Sequence, residues 1–487
     1  MIDRLRNWIL CLGVLLLSLS QSFAQSNKRP NILFIAVDDL RPQLKCYGET
    51  YMHTPNLDKL AAGGRLFHRH YVQVPTCGAS RYALLTSTRP AVGTSWNNGA
   101  FAKLSTKKTD QPQTFPEFFR RKGYRTVCIG KISHQADGRK YGYNGKGSGD
   151  PEVPFAWDEV GAPYGKWGYG WSAFFGYANG LNRMTYDKAS PVEAGDVDDE
   201  GYVDGLIAKA AVTKLKELKT RKQPFLLAVG FYKPHLPFVA PKKYWDMYKR
   251  SDIPLSPNPK KPTKINSNSW HNSGECFGAR YKSAKWSRDE KTARLLRHGY
   301  FAAVSYVDAQ IGKVLDALEE LGMSEDTIVI VWGDHGWHLG DHAIWGKHSN
   351  FERSARSTLI LKAPMLKLKA GPTDAIVETV DLYPTLVDLC GYPIPKPLTG
   401  SSLRPVLENA RHPGKEAAFT YWRGGTSMRT DRYRLVMYKK GKPQYELYDH
   451  QTDPNEINNI ADKQMERVRA MLPLLQKNHP MMQAQSE

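Results

Sequence analysis

The chain of 487 residues is 41% hydrophobic and 24% charged, with a formal net charge of +20. That composition excludes a disordered or collagen-like polymer and is enough for one large core plus a smaller one. The basic excess favours an anionic partner; with no helix-turn-helix, zinc-finger or single-strand-binding signature, a sulfated or carboxylated polysaccharide is expected and nucleic acid is not.

Arg4 and Arg6 precede an apolar run over residues 8–19, and Ser22-Phe23-Ala24 sets small residues around a cleavage point. Residues 1–24 therefore read as the signal peptide of a periplasmic or secreted protein. The run is short for a bilayer and no later one is longer, so no stable membrane insertion is expected. The lack of an Asn-x-Ser/Thr site points to a bacterial chain. Beyond the signal stand Cys46, Cys77, Cys128, Cys276 and Cys390, an odd number that hints at one thiol with a separate fate.

The continuous apolar residues 31–37 predict a buried strand, 56–64 a helix, and 77–87 a turn opening into a helix. Next come a short helix over 114–122 stopped by Gly123, a strand over 124–129, a helix over 202–219 and a strand over 225–231. A long helix over 297–321 ends at Gly322 and leads to a strand over 327–332. Strands alternating with helices predict an α/β domain over 25–400, with a large mostly parallel sheet and helices on both faces. Two stretches break the pattern: 135–200, rich in Gly, Tyr and Trp, and 251–290, rich in Pro, Lys, Asn and Ser. Both read as surface insertions that shape a binding site. Strand-like pieces at 417–422, 433–438 and 445–448 predict a small antiparallel α+β C-terminal subdomain over 401–487.

In open parallel sheets ligands collect at the carboxyl ends of strands. Here the first strand ends in Asp38-Asp39, and the 327–332 strand runs into Gly333-Asp334-His335-Gly336. Clustered carboxylates repel one another unless a cation joins them, and oxygen donors select a hard ion such as Ca²⁺ or Mg²⁺. His335, His338, His342 and His348 offer zinc as a competing reading. The carboxylate neighbours favour the hard ion and leave His338 and His342 as supporting loop residues.

Pro75-Thr76-Cys77-Gly78-Ala79-Ser80-Arg81 contains the pattern C-x-A-x-R, and here the sequence resembles the formylglycine-dependent type I sulfatases. The similarity extends over most of the chain. Asp38-Asp39-Leu40-Arg41-Pro42 with Cys46-Tyr47-Gly48, Gly130-Lys131, Lys233-Pro234-His235-Leu236-Pro237-Phe238, Ser305-Tyr306-Val307-Asp308 and Asp334-His335-Gly336-Trp337 look like blocks of the iduronate-2-sulfatase-like branch. Ala79 stands where that branch usually has proline.

The resemblance implies an alkaline-phosphatase-like fold and a maturation enzyme that oxidises Cys77 to formylglycine (3-oxoalanine), whose hydrate attacks sulfur. It implies one Ca²⁺ held by Asp38, Asp39, residue 77, Asp334 and His335. Lys131 and Lys347 would clamp the sulfate, and Arg81 would hold the formylglycine. His134 would be the base that deprotonates the hydrate and His235 the acid that protonates the leaving sugar oxygen. The implied substrate is a sulfated oligo- or polysaccharide, either a uronate 2-sulfate or an algal or host glycan. Two alternatives stand beside it: a two-metal phosphatase or phosphodiesterase of the same superfamily, and an inactive carbohydrate-binding homologue.

Overall fold

The computed structural model describes residues 29–90, 96–278, 280–281, 287–366, 369–438 and 443–478; the expected signal peptide lies outside them. Strand β1 (Asn31–Val37) is buried along its whole length. Leu33, Ile35 and Val37 face one apolar cluster, and Ile32, Phe34 and Ala36 face another. A strand covered on both faces needs an unbroken apolar run and not an alternating one.

Seven strands join it: β2 (Arg65–Tyr71), β3 (Arg125–Gly130), β4 (Glu159–Gly161), β5 (Phe225–Phe231), β6 (Thr327–Gly333), β7 (Leu359–Lys362) and β8 (Gly371–Glu378). Their order is β8-β2-β7-β6-β1-β5-β3-β4. β7 runs antiparallel to both neighbours, and the other pairings are parallel. Helices α1 (Pro55–Gly63), α4 (Val203–Lys219) and α5 (Glu290–Glu320) cover the Leu33 face, through Leu57, Ile207 and Val304 among others. Helices α2 (Cys77–Thr86), α3 (Phe115–Arg121) and α6 (Leu382–Leu389) cover the opposite face through Leu84, Phe119 and Leu386. This is the architecture that the alternation predicts.

The differences from the predicted elements have local causes. α5 begins seven residues before the expected 297, capped by the Asp289 side chain, which accepts from the Thr292 amide. Its first turn is charged and largely exposed, so no apolar period marks it. β2 has no counterpart among the predicted strands, since its sequence RLFHRHY looks polar. Its Arg65 is nevertheless 5% exposed, because the guanidinium donates to the carbonyls of Gly371, Lys369 and Leu407.

The C-terminal part forms an antiparallel sheet of β9 (Ala418–Trp422), β10 (Gly425–Arg429), β11 (Tyr433–Tyr438) and β12 (Gln444–Asp449), backed by α7 (Met465–Lys477). Three of these strands are the predicted pieces; β10, GTSMR, has too little apolar pattern to be read. Phe419, Met428, Leu435 and Leu447 pack with Val468 and Leu475 of α7 and with Val74 and Ala79 beside Cys77. The small sheet thus buttresses the start of α2.

Gly130 of β3 pairs with Gly230 of β5. A Cβ on Gly230 would collide with the backbone of Lys131, so glycine here allows the chain to deliver Lys131 to the sheet edge. Gly230→Ala is expected to lower unfolding free energy by roughly 1–3 kcal/mol, the usual cost of overpacking. Denaturant unfolding measures this, and an unchanged midpoint would refute the packing argument.

Candidate active site

β1 and β6 are neighbours in parallel register, with Val37 opposite Gly333. The register sets Asp38-Asp39 beside Asp334-His335 without any long-range coincidence of loops. Asp39 turns the chain through a left-handed backbone conformation, φ 60°, which aspartate tolerates better than most residues. Its N–H donates to Asp334 Oδ1 at 2.9 Å, and the Tyr300 hydroxyl of α5 donates to its carbonyl at 2.7 Å.

Cys77 is the first residue of α2, so any negative charge at this position lies at the positive end of the helix. Its Sγ stands 3.4 Å from Asp38 Oδ1, 3.4 Å from His335 Nε2 and 3.3 Å from Lys347 Nζ. One turn on, Arg81 Nε donates to Asp334 Oδ2 at 3.0 Å, and its Nη1 donates to the Lys131 carbonyl. Lys131 pairs with Asp38, and Lys347 Nζ lies 2.9 Å from Asp39 Oδ1. None of the Asp38, Asp39, Asp334, Arg81 or His335 side chains reaches solvent.

Burial would lift Asp38, but Lys131 and Arg81 hold it well below its ordinary value. Asp39 goes the other way: burial, aided by the charges of Asp38 and Asp334, raises it well above despite Lys347. The protein alone therefore leaves one carboxylate short of positive charge. His335 Nδ1 lies 2.9 Å from the Gly336 carbonyl and must donate to it, which assigns the ring's proton there. Burial keeps the ring neutral, so Nε2 turns a lone pair towards Asp39 Oδ1 at 3.4 Å and Asp334 Oδ1 at 3.6 Å. A lone pair facing carboxylate oxygens is repulsive unless a cation lies between them. Asp39 Oδ2 is buried and accepts no hydrogen bond. Donor atoms of Asp38, Asp39, Cys77 and His335 all lie within 4.8 Å of one another. This set fits a hard divalent cation. Asp334 borders it, already held by Arg81 and the Asp39 amide.

The four histidines do not converge as a zinc site. His338 Nε2 bonds Ser349 Oγ at 2.8 Å, His342 stacks on Phe351 and His348 stacks on Trp422. A second group of potential donors, Glu352, His450 and Glu456, lies elsewhere. Its carboxylates are taken by Arg434, with Nε 2.5 Å from Glu456 and the other end of the fork on Glu352.

Cys77 forms part of the wall of a cavity of about 380 Å³, with Lys131, His134, His235 and Lys347 around it and aromatic walls from Trp171, Phe174 and Phe175. The predicted catalytic and clamping side chains thus share one chamber, with Arg81 behind it. His134 has a buried Nδ1 with no hydrogen-bond partner, and burial with Lys131 pushes its pKa well below the usual value. His235 Nδ1 donates to the Leu236 carbonyl at 2.6 Å, so its Nε2 faces Glu275 Oε1 at 3.3 Å and Asp39 Oδ2 at 3.8 Å. Burial and Lys347 push His235 down to about 3, with Glu275 opposing.

Glu275 is a site residue that the sequence does not single out. It lies 3.8 Å from Lys347 as well, and it sits within the 251–290 insertion, where no periodicity or motif marks it. Arg183, of the 135–200 insertion, lines the same cavity and escapes sequence reasoning for the same reason. The thiol of Cys77 is itself pushed well up by burial and Asp38. All five described cysteines are free.

Residues 30–392 match the protein family described as Sulfatase, and residues 340–480 match the one described as N-sulphoglucosamine sulphohydrolase, C-terminal. The chain is 32% identical over 408 residues to the iduronate 2-sulfatase of Mus musculus, covering 77% of this chain and 72% of that protein. It is 30% identical over 509 residues to a sulfatase of Formosa agariphila, covering 98% and 93%. Among solved structures, it resembles a protein in complex with its substrate D-glucosamine-2-N,6-O-disulfate, with a TM-score of 0.70 and 22% identity over 94% of this chain and 99% of that one. It also resembles the phosphonate monoester hydrolase of Agrobacterium radiobacter, with a TM-score of 0.73 and 23% identity over 94% and 96%. At that identity both likenesses concern the fold.

The donor geometry generates a direct test. Purified protein should carry about one divalent cation per chain by elemental analysis, and Asp39→Asn should carry none, since it removes the charge least compensated by the protein. Two stoichiometric zinc ions in the unaltered protein would contradict the single hard-ion reading.

Proposed function

The chain belongs to the sulfatase family and is a sulfuric ester hydrolase; on that premise we propose that it is an exported enzyme removing a sulfate ester from an anionic carbohydrate, with formylglycine at residue 77 and one calcium ion. The observation that carries the proposal is the shared chamber of Cys77, Lys131, Lys347, His134 and His235. The relatives named iduronate 2-sulfatase support a sulfated uronate as the first substrate to try. Export rests on the signal-like residues 1–24, and no helix among the described residues is long and apolar enough to cross a membrane.

An unmodified thiol is a poor reagent here, because burial and Asp38 keep its proton on and a sulfated cysteine would have no route of release. A formylglycine at residue 77 would, as its hydrate, offer a nucleophilic oxygen and a second oxygen that permits release of the sulfate. Calcium would be held by Asp38, Asp39, His335 and residue 77, with Asp334 at their border, and would supply Lewis acidity there.

The chain's own residues do the rest. Lys131 and Lys347 bring fixed positive charge to the sulfate oxygens, within a chamber too buried for water to screen them. Arg81 locks Asp334 and the Lys131 backbone into one frame. His134, kept neutral by burial and Lys131, is suited to take a proton from a hydroxyl at residue 77. His235, once protonated, would deliver a proton from Nε2, the atom that faces Glu275. Burial is the main cause that holds His235 down, and sulfate bound to Lys347 would offset only the second, the charge of that lysine.

Two outcomes are expected. In a host with a maturation enzyme, mass spectrometry of the peptide spanning residue 77 should show an aldehyde that reacts with hydrazides; full activity from unmodified cysteine would end the mechanism. His235→Ala should lower turnover of a sulfated sugar by about 10²–10⁴-fold but affect a nitrophenyl sulfate much less, because nitrophenolate leaves without a proton. Equal losses on both would make His235 a binding residue.

A further inference from the structure

Arg183 belongs to the 135–200 insertion and takes no part in the chemistry at residue 77. Its side chain lines the same cavity as Cys77 and is 5% exposed. The guanidinium lies over the Phe175 ring, with Cζ 3.5 Å from the centroid. Nη1 donates a long hydrogen bond to the Tyr281 hydroxyl at 3.4 Å, and Nε is buried with no acceptor. Among the described residues no carboxylate lies within ion-pair distance of it. Glu275, on the same cavity, is turned to His235 at 3.3 Å and Lys347 at 3.8 Å.

A guanidinium cannot shed its charge, and holding it in a low-dielectric site without a counter-ion is costly. Such a group persists where a ligand completes it. The scissile sulfate is already served by Lys131 and Lys347. Arg183 differs from them in kind: its planar fork, placed over Phe175, matches the two oxygens of a carboxylate or of a second sulfate. A cavity of about 380 Å³ has the size of a small-molecule pocket.

We propose that Arg183 recognises a second anionic group on the same substrate, a carboxylate or another sulfate, so that the enzyme selects doubly charged sugars. This deepens the sulfatase reading and rests on it for the place of the scissile sulfate. The test reads binding and not turnover, so its result is independent of whether residue 77 attacks sulfur.

Three probes are titrated calorimetrically, with calcium present, into full-length protein carrying Cys77→Ala: a 2-O-sulfated uronate, the same sugar with its carboxylate reduced to an alcohol, and a hexosamine bearing two sulfates. At least one doubly charged probe should bind about ten- to a hundred-fold more tightly than the reduced sugar. Whether the carboxylate or the second sulfate carries the gain identifies the group. Adding Arg183→Gln should erase the difference. Arg183→Lys, which keeps the charge and loses the fork, should retain part of it, and this variant carries the test if the glutamine protein does not fold. Equal affinity for all three probes, or a preference that survives in the folded glutamine variant, overturns the proposal.

Discussion

Carboxylates with no access to solvent, side by side at the ends of adjacent strands, are the constraint around which this molecule is built. An isolated charge in such a place is prohibitive, and it survives only if paired. The fold supplies a partner to each carboxylate from a different element. Arg81 comes from α2 to Asp334, Lys131 from the end of β3 to Asp38, and Lys347 from the loop beyond β6 to Asp39. With Glu275, four carboxylates face three of these cations, and the protein alone does not balance. The proposed divalent ion and a monoanionic sulfate ester close that balance, and the extra charge of Arg183 is closed in turn by the proposed second anion on the sugar. Electrostatics thus ties the metal, the scissile group and the choice of substrate into one account.

The same constraint explains which parts of the site are legible in the sequence. β1 and β6 are encoded by unbroken apolar runs, and the first polar residues after them must stand at the sheet edge. Asp38, Asp39, Asp334 and His335 can therefore be placed from sequence pattern alone, and so can the turn that presents Cys77. The lysines and the two proposed catalytic histidines are recognisable only by resemblance, since nothing in their local sequence separates them from solvated surface. Glu275 and Arg183 are recognisable by neither route. They reach the cavity from stretches with no apolar period, and chain geometry, not pattern, brings them there. β2 is illegible for a related reason: buried arginine satisfied by backbone carbonyls looks, in sequence, like exposed arginine.

The C-terminal sheet adds a further link. It packs through Phe419 and Met428 against Val74 and Ala79, on either side of Cys77, while Trp422 stacks on His348 beside Lys347. The C-terminal sheet thus helps to fix the start of α2, and mutations in its core have a physical route to the site without touching substrate.

The fold alone does not choose between sulfate and phosphate esters, and the distribution of charge supplies the choice. A phosphate monoester carries about two negative charges at neutral pH, whereas a sulfate monoester carries one. Lys131 and Lys347 each already face a carboxylate, so the positive charge they have left for a ligand is modest and suits a monoanion. A two-metal phosphatase would need a second donor group beside the first. The other cluster among the described residues has its carboxylates taken by Arg434. Among the described residues, Arg183 is a buried cation of the chamber with no carboxylate within ion-pair distance. On the proposal above, its charge meets the rest of the sugar and not the sulfur under attack.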